Sequence, residues 1–147
     1  MKLQQATQCA LLATIHLASR PGEQVTALQL AETYGISQHH LAKVLRTLSR
    51  AGIVDSTRGV RGGCVFSGDQ RKVTLFDIIT LFEPDWQGAS MASQATDVAT
   101  ELGHVLTEID RLTSATLQSV SLQTVISNAA RNADKAAGKG AEPPADS

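Results

Sequence analysis

The chain has 147 residues, 42% hydrophobic but only 3% aromatic, so its length favours one domain with an aliphatic core and a further segment. No apolar run reaches the ~18 residues that a membrane span needs, and the N-terminus lacks a secretory pattern. Two cysteines make no disulfide framework, and the net charge of −1 alone does not suggest nucleic acid. We therefore expect a cytoplasmic, reduced protein without a membrane partner.

Three helices are predicted before residue 52. The first covers residues 4–19, is rich in Ala, Leu and Gln, and ends at a Pro-Gly pair. The second follows Thr26 and Gln29, which have the spacing of a capping box. A tight turn at Gly35 separates it from the third helix, which Ser37 caps. Two helices joined by a short turn that contains glycine are a helix-turn-helix unit.

A β-hairpin is predicted directly after the third helix. Residues 53–57 and 64–66 form its strands, and its loop is Arg58-Gly59-Val60-Arg61-Gly62-Gly63. The glycines supply positive φ angles and let the backbone approach another surface closely. A helix that can enter a groove, beside a basic hairpin, is the layout of a winged helix-turn-helix DNA-binding domain.

The charge distribution supports this interpretation. Residues 1–82 carry nine basic and five acidic side chains, a net charge of +4, whereas residues 83–147 carry four basic and nine acidic ones, a net charge of −5. Seven of the nine basic residues lie between Lys43 and Lys72. A local basic surface indicates contact with the phosphate backbone of nucleic acid. The alternative is a solvated face on an ordinary domain.

A long helix is predicted after a linker of small residues at 84–96. Its apolar residues repeat at spacings of four and three, the pattern of a seam between two helices; they are Val98, Leu102, Val105, Ile109 and Leu112. A winged domain over 1–83 has little need of this stripe, so we predict that residues 97–127 pair with a second subunit in a twofold homodimer. Packing on the same domain is the alternative. Residues 128–147 are predicted to be disordered.

Several motifs then carry a family resemblance. They are Met1-Lys2-Leu3, Gly35-Ile36-Ser37, Leu48-Ser49-Arg50-Ala51-Gly52-Ile53-Val54, Thr57-Arg58-Gly59 with Gly62-Gly63, Leu75-Phe76-Asp77-Ile78-Ile79 with Glu83-Pro84, and Leu106-Thr107-Glu108-Ile109-Asp110. The chain resembles the bacterial Rrf-two-type regulators, a family that includes the iron–sulfur cluster regulator and the nitric-oxide-sensitive repressor. The resemblance covers residues 1–83 closely and 98–126 more loosely. It implies a mainly α dimeric transcription factor whose third helix enters the major groove and whose wing arginine reaches the minor groove.

The predicted DNA contacts lie on the third helix and the wing. Gln can pair with adenine, His can donate to a base edge, Lys and Arg bind phosphate, and a wing Arg can enter a narrow minor groove. The residues are Ser37, Gln38, His39, His40, Lys43, Arg46, Arg58, Arg61, Gly62 and Gly63. Solvent-exposed polar residues without a partner are the alternative.

The resemblance also bears on sensing. Its best-known members hold an iron–sulfur cluster with three cysteines in the loop before the long helix, plus a ligand from the first helix or a later His. That loop has no cysteine here, and Gln8 stands where some relatives have an acidic residue. Two thiolates do not make a site with four ligands, so we predict no cofactor and no metal site. Cys9 is expected to be buried, whereas Cys64, beside the basic wing, is expected to be partly exposed and is a candidate redox site together with Cys9.

These observations predict a sequence-specific regulator, a repressor that binds double-stranded DNA as a homodimer on a pseudo-palindromic operator. One alternative is a regulator of the same fold that senses through thiols, haem or an unusual metal cluster. Another is a protein-interaction module that does not bind DNA, although such a module would not need the basic segment. No catalytic triad, phosphate loop or metal-ligand motif stands out, so we do not expect an enzyme.

Overall fold

The structure, a computed structural model, describes residues 1–87 and 96–139 and has the mainly α fold predicted from the sequence. Its elements in chain order are α1 (Gln5–Ala18), α2 (Ala27–Tyr34), α3 (Gln38–Arg50), β1 (Val54–Thr57), β2 (Gly63–Phe66), α4 (Leu75–Phe82), α5 (Asp97–Ser119) and α6 (Leu122–Lys139). The two strands form one antiparallel hairpin. None of the helices in the described residues combines the length and apolarity needed to cross a membrane.

The caps predicted for the helix-turn-helix unit form. Thr26 Oγ1 accepts a hydrogen bond from the Gln29 backbone N–H at 3.1 Å, and the Gln29 side chain accepts one from the Thr26 N–H at 2.8 Å. Gly35 ends α2 with a φ of 63°, a left-handed conformation that favours glycine. Ser37 Oγ then accepts from the His40 N–H at 3.4 Å and starts α3. Local chemistry thus sets where α2 stops and α3 begins.

The core is aliphatic and has α1 at its centre, because α1 packs against α3, β2, α4 and α6. The side chains with the least solvent exposure come from nearly every element; they include Leu17, Leu30, Leu41, Leu48, Val54, Ile78, Ile79 and Leu122. Burying a side chain of this size contributes about 1.5–3 kcal/mol to folding. The winged domain therefore has enough buried apolar surface to hold α3 and the hairpin in fixed positions.

The chain returns to the winged domain after α5. Leu122 is completely buried, and its N–H donates to the Val73 carbonyl oxygen at 3.0 Å. The Leu75 N–H donates to the Val120 carbonyl oxygen at 3.0 Å. The segment 97–127, assigned to dimerisation, therefore holds α5 and the start of α6, because the backbone leaves the helical conformation at Val120 to make these contacts.

The prediction that the chain is disordered from residue 128 is wrong for residues 128–139. Helix α6 continues to Lys139. Five of these twelve residues are alanine, the best helix former, and three are Lys or Arg. Helix growth is favourable once a first turn exists, and that turn is anchored in the core at Leu122. The rest of the predicted tail, residues 140–147, lies outside the described residues.

The predicted linker is described only in part, since residues 88–95 lie outside the described residues. The Trp86 ring meets the Phe76 ring edge-on, with 6.2 Å between the ring centroids. The Gln87 amide nitrogen donates to Ser114 Oγ. The chain that leaves α4 is therefore held against α4 by an aromatic contact and against α5 by a hydrogen bond.

Candidate nucleic-acid interface

Helix α3 has one buried face and one basic face. Leu41, Val44, Leu45 and Leu48 are buried against the domain. Successive residues of an α-helix are about 100° apart, so the side of α3 opposite these four apolar residues carries a separate set of residues. They are His39, Lys43, Arg46 and Arg50, and all four are exposed. The helix therefore presents a continuous basic surface to solvent.

The hairpin forms a wing beside this surface. Residues 58–61 at its tip are exposed, and Gly59 has a φ of 110°. A Cβ atom on Gly62 would lie 2.4 Å from the Thr57 carbonyl oxygen, closer than any side chain can approach. Within the loop, positive φ is therefore needed at Gly59 alone, whereas Gly62 is needed for space. Together they turn the chain so that Arg58 and Arg61 lie at the tip.

The base of the wing is attached to the segment that precedes α2. The Cys64 N–H donates to the Val25 carbonyl oxygen at 2.8 Å, and the Val25 N–H donates to the Cys64 carbonyl oxygen at 2.9 Å. Gly63 lies against the same residue, since its Cβ would be 3.2 Å from the Val25 oxygen. Because Val25 is itself buried, the position of the wing relative to the helix-turn-helix unit is fixed.

The basic side chains of this surface have no acidic partners in the part of the chain that the structure describes. The ion pairs found there join Arg20 to Glu23, His104 to Glu101 and Arg111 to Glu108. Lys43, Arg46, Arg50, Arg58 and Arg61 take part in none of them. Their charges are therefore available to an anionic partner.

The predicted contact residues differ in what they can offer. Gln38 and His39 are exposed at the start of α3. His40 is half-buried, and its Nε2 is enclosed without a hydrogen-bond partner among the described residues. That nitrogen cannot reach a base edge in this conformation. Ser37 uses its hydroxyl as the cap of α3.

The two cysteines are free and buried. Burial raises the pKa of the Cys9 thiol, as expected for a small core residue. The expectation that Cys64 is partly exposed is wrong, since only 7% of it is accessible. Cys64 pairs with Ser56 across the hairpin, with 3.5 Å between Sγ and Ser56 Oγ, and the core covers the other side.

The sequence prediction missed residues that surround a cavity of about 390 Å³ between α3 and the wing. Ser49 and Arg50 line it from α3, and Ser56 lines it from β1. Arg50 could be identified from the sequence, because Lys43, Arg46 and Arg50 lie at spacings of three and four and share a face, which predicts a phosphate contact for at least one of them. The serines could not, since their meeting depends on how the hairpin folds back onto α3.

The apolar stripe of α5 lies exposed in the single chain. Its five residues, Val98, Leu102, Val105, Ile109 and Leu112, have accessible fractions between 42% and 79%. The buried residues of α5 are Ala99 and Leu117, which lie about 100° around the helix from Val98. The alternative in which the stripe packs on its own domain is therefore wrong: a different face of α5 makes that contact.

Comparisons with known proteins agree with this architecture. A family model, Rrf2, described as an iron-dependent transcriptional regulator, matches residues 3–128. BadM of Rhodopseudomonas palustris, provisionally named an HTH-type transcriptional regulator, is 44% identical over 129 residues, which are 86% of this chain and 81% of BadM.

Solved structures give the same result. CymR, the global cysteine regulator of B. subtilis, superposes with a TM-score of 0.75 at 26% identity, covering 87% of this chain and 98% of CymR. IscR of T. potens superposes with a TM-score of 0.71 at 23% identity, covering 88% of each chain, a similarity of fold alone. The family match spans the winged domain, α5 and the start of α6. The chain therefore belongs to the Rrf2 family of winged helix-turn-helix, DNA-binding transcriptional regulators.

Proposed function

We propose that the protein is a homodimeric repressor that binds a pseudo-palindromic operator, with α3 in the major groove and the wing in the adjacent minor groove. The main support is the basic surface of α3 and the wing, whose five Lys and Arg side chains have no ion-pair partner among the described residues. Each such cation that neutralises a phosphate releases counterions and so adds affinity. The protein would act on DNA in the cytoplasm, without enzymatic activity.

The proposed roles follow from position. Gln38 and His39 stand at the exposed start of α3, where residues of a recognition helix meet base edges. Lys43 and Arg46 follow one and two turns later on the same face and would bind backbone phosphates. Arg58 at the wing tip would enter the minor groove, with Arg61 beside it and Gly62 and Gly63 shaping the loop.

The exposed stripe of α5 supports the dimer. A twofold axis along the stripe would bury five apolar side chains from each subunit and would present two α3 helices to one face of the DNA. Major grooves on one face of a duplex recur about every 34–36 Å, so the operator would have half-sites separated by about one helical turn or a multiple of it.

The test begins with DNA selected from a random pool by the wild-type protein. Arg58→Ala should bind the selected duplex about tenfold more weakly without losing thermal stability, because Arg58 is exposed. The control is Arg131→Ala, which removes the same charge from α6. Transcription from a promoter that overlaps the selected site should fall when the protein is added. Equal affinities of Arg58→Ala and wild type would refute the wing's role, and increased transcription would refute repression.

We further infer that the protein regulates without an iron–sulfur cluster of the type that cysteine thiolates hold. Such a cluster needs four ligands. The chain has two cysteines, and both are buried in the core of the winged domain. Among residues 1–87 and 96–139, no three His, Cys, Asp or Glu side chains are close enough together to hold a metal ion. The side chains of this chain therefore do not fit an iron–sulfur cluster.

Purification without oxygen tests this inference. The expected protein is colourless and free of iron and sulfide, and it binds the selected DNA. A brown protein with stoichiometric iron and sulfide would refute the inference, because ligands would then have to be recruited from outside this donor set.

One observation favours a second candidate function, thiol sensing. The wall of the cavity between α3 and the wing includes Cys64, beside Arg46, Arg50 and Arg58. A peroxide that oxidises the thiol to a sulfenic acid, and is itself reduced to water or an alcohol, would add bulk next to the basic surface. Peroxide should then weaken DNA binding of wild type but not of Cys64→Ser. Equal sensitivity of the two proteins would exclude Cys64 as the sensor.

A further inference from the structure

Five of the nine residues that line the cavity between α3 and the wing are arginine or serine. Its volume is about 390 Å³. Arg46, Ser49 and Arg50 line it from α3, and Ser56 and Arg58 line it from the hairpin. The remaining wall is small or apolar and consists of Ala27, Ala42, Leu45 and Cys64. Donors thus converge on one space from two elements that the tertiary fold brings together.

The cavity is strongly positive. Three arginines line it, and no acidic residue does. Within the described residues these arginines make neither a side-chain hydrogen bond nor an ion pair. Asp55 precedes Ser56 on β1, but side chains alternate along a strand, so it lies on the other face of the hairpin. An anion that enters the cavity would therefore reduce the repulsion among the three arginines.

The donor chemistry selects an oxyanion. A guanidinium is a planar fork of N–H donors that matches two oxygens of a phosphate, and serine hydroxyls donate to the others. A phosphate group accordingly fits the lining better than a carboxylate, because it offers more oxygens to the five donors.

Groove geometry indicates where this phosphate comes from. In a duplex, each sugar–phosphate strand separates a major groove from a minor groove. If α3 lies in the major groove and the wing in the neighbouring minor groove, the space between them must face the strand that divides the two. The cavity is located in that space.

We propose that this cavity is an oxyanion-binding site that receives one backbone phosphate of the operator in each half-site. Arg46 and Arg50 bind it from α3, Ser49 and Ser56 complete its hydrogen bonds, and Arg58 passes beside it towards the minor groove. The proposal rests on the proposed DNA-binding function. It adds Ser49 and Ser56 to the interface, gives Arg50 a defined phosphate, and makes the cavity the point that fixes the wing relative to α3 on the duplex.

The test uses the full-length protein and a panel of selected duplexes, each with one phosphate replaced by an uncharged methylphosphonate. Wild type should lose about tenfold in affinity at one position per half-site. Arg50→Ala should bind the unmodified duplex about tenfold more weakly and show no further loss at that position, since the two changes remove the same contact. Arg131→Ala is the control and should behave as wild type at every position. Arg50 is exposed, so its variant should fold, and thermal melting checks this.

A second arm distinguishes a DNA phosphate from a free one. Inorganic phosphate is compared with chloride at equal ionic strength as a competitor of DNA binding. One outcome would assign the site to a free oxyanion instead of DNA. In that outcome, phosphate competes with DNA for wild type but not for Arg50→Ala, and no methylphosphonate position loses its effect in Arg50→Ala. Absence of both effects in a protein that binds DNA would overturn the site itself. Failure of wild type to bind any selected duplex would instead refute the proposed function.

Discussion

Replacing Val105 with Asp should separate the proposed dimer into folded monomers. Val105 is the central residue of the apolar stripe on α5 and is 47% exposed in the single chain. The substitution therefore places a carboxylate in the middle of the proposed seam. Because Val105 makes few contacts within its own subunit, the change should leave the fold of the monomer intact.

The size of the effect follows from burial. Completing the burial of a half-exposed valine contributes roughly 1 kcal/mol, since full burial contributes about 1.5–3 kcal/mol. A twofold dimer loses this contribution twice. Two carboxylates without partners in an apolar interface cost at least about as much again. The total of about 4 kcal/mol corresponds to a roughly thousandfold increase in the dissociation constant of the dimer.

Sedimentation equilibrium over a range of concentrations measures this constant directly. The matched control is Thr107→Asp, which adds the same charge to the exposed opposite side of α5, about 200° from Val105. Circular dichroism should show the same helical content in both variants and wild type. If the dimer dissociation constant of Val105→Asp were within tenfold of the wild-type value, the stripe would be refuted as the interface.

Two further predictions concern the wing and the junction of α1 with α4. Gly62→Ala should lower DNA affinity at least tenfold with little change in melting temperature. The added Cβ would lie 2.4 Å from the Thr57 carbonyl oxygen and would displace the tip of the wing. A DNA titration followed by fluorescence anisotropy measures the affinity, and a value equal to that of wild type would contradict this. The Gln4 N–H and the Thr7 hydroxyl lower the pKa of Glu83 below 4.5, so its stabilising contribution is present above pH 4.5 and lost as the pH falls through the folded-state pKa. Thr7→Val should therefore reduce stability at pH 7 and flatten its dependence on pH below 4.5 in urea unfolding. The same pH dependence in both proteins would refute this.

The helix-turn-helix unit could be predicted because its signals are local. Thr26 and Gln29 are three residues apart and make their reciprocal hydrogen bonds within a single turn of helix. Gly35 and Ser37 likewise act within the turn that they form. A capping pattern followed by apolar residues at helical spacing therefore specifies both the element and its ends.

The contacts that position the surface could not be predicted, because they join distant parts of the chain. Thr7 and Glu83 are 76 residues apart, and only the packing of α1 on α4 brings them to 2.7 Å. The burial of Cys64 depends on Val25, which lies in a different element. The end of α6 was missed for another reason. The composition of residues 128–147 shows that they cannot form a buried core, but a helix whose first turn is already anchored can extend without one.

The helices of the proposed dimer interface also bear on DNA recognition, although they are remote from the basic surface. Helix α5 packs against α4, α4 packs against α1, and α1 packs against α3. Glu83, at the end of α4, accepts hydrogen bonds from Gln4 at 2.6 Å and Thr7 at 2.7 Å and so ties α4 to the start of α1. In the proposed dimer, the distance between the two α3 helices is the sum of these packed contacts on both sides of the α5 seam. A displacement of α5 that carries α4 with it must therefore move α1 as well or break the Glu83 hydrogen bonds. In the proposed dimer, α1, α4 and α5 would therefore determine the half-site spacing without touching the DNA.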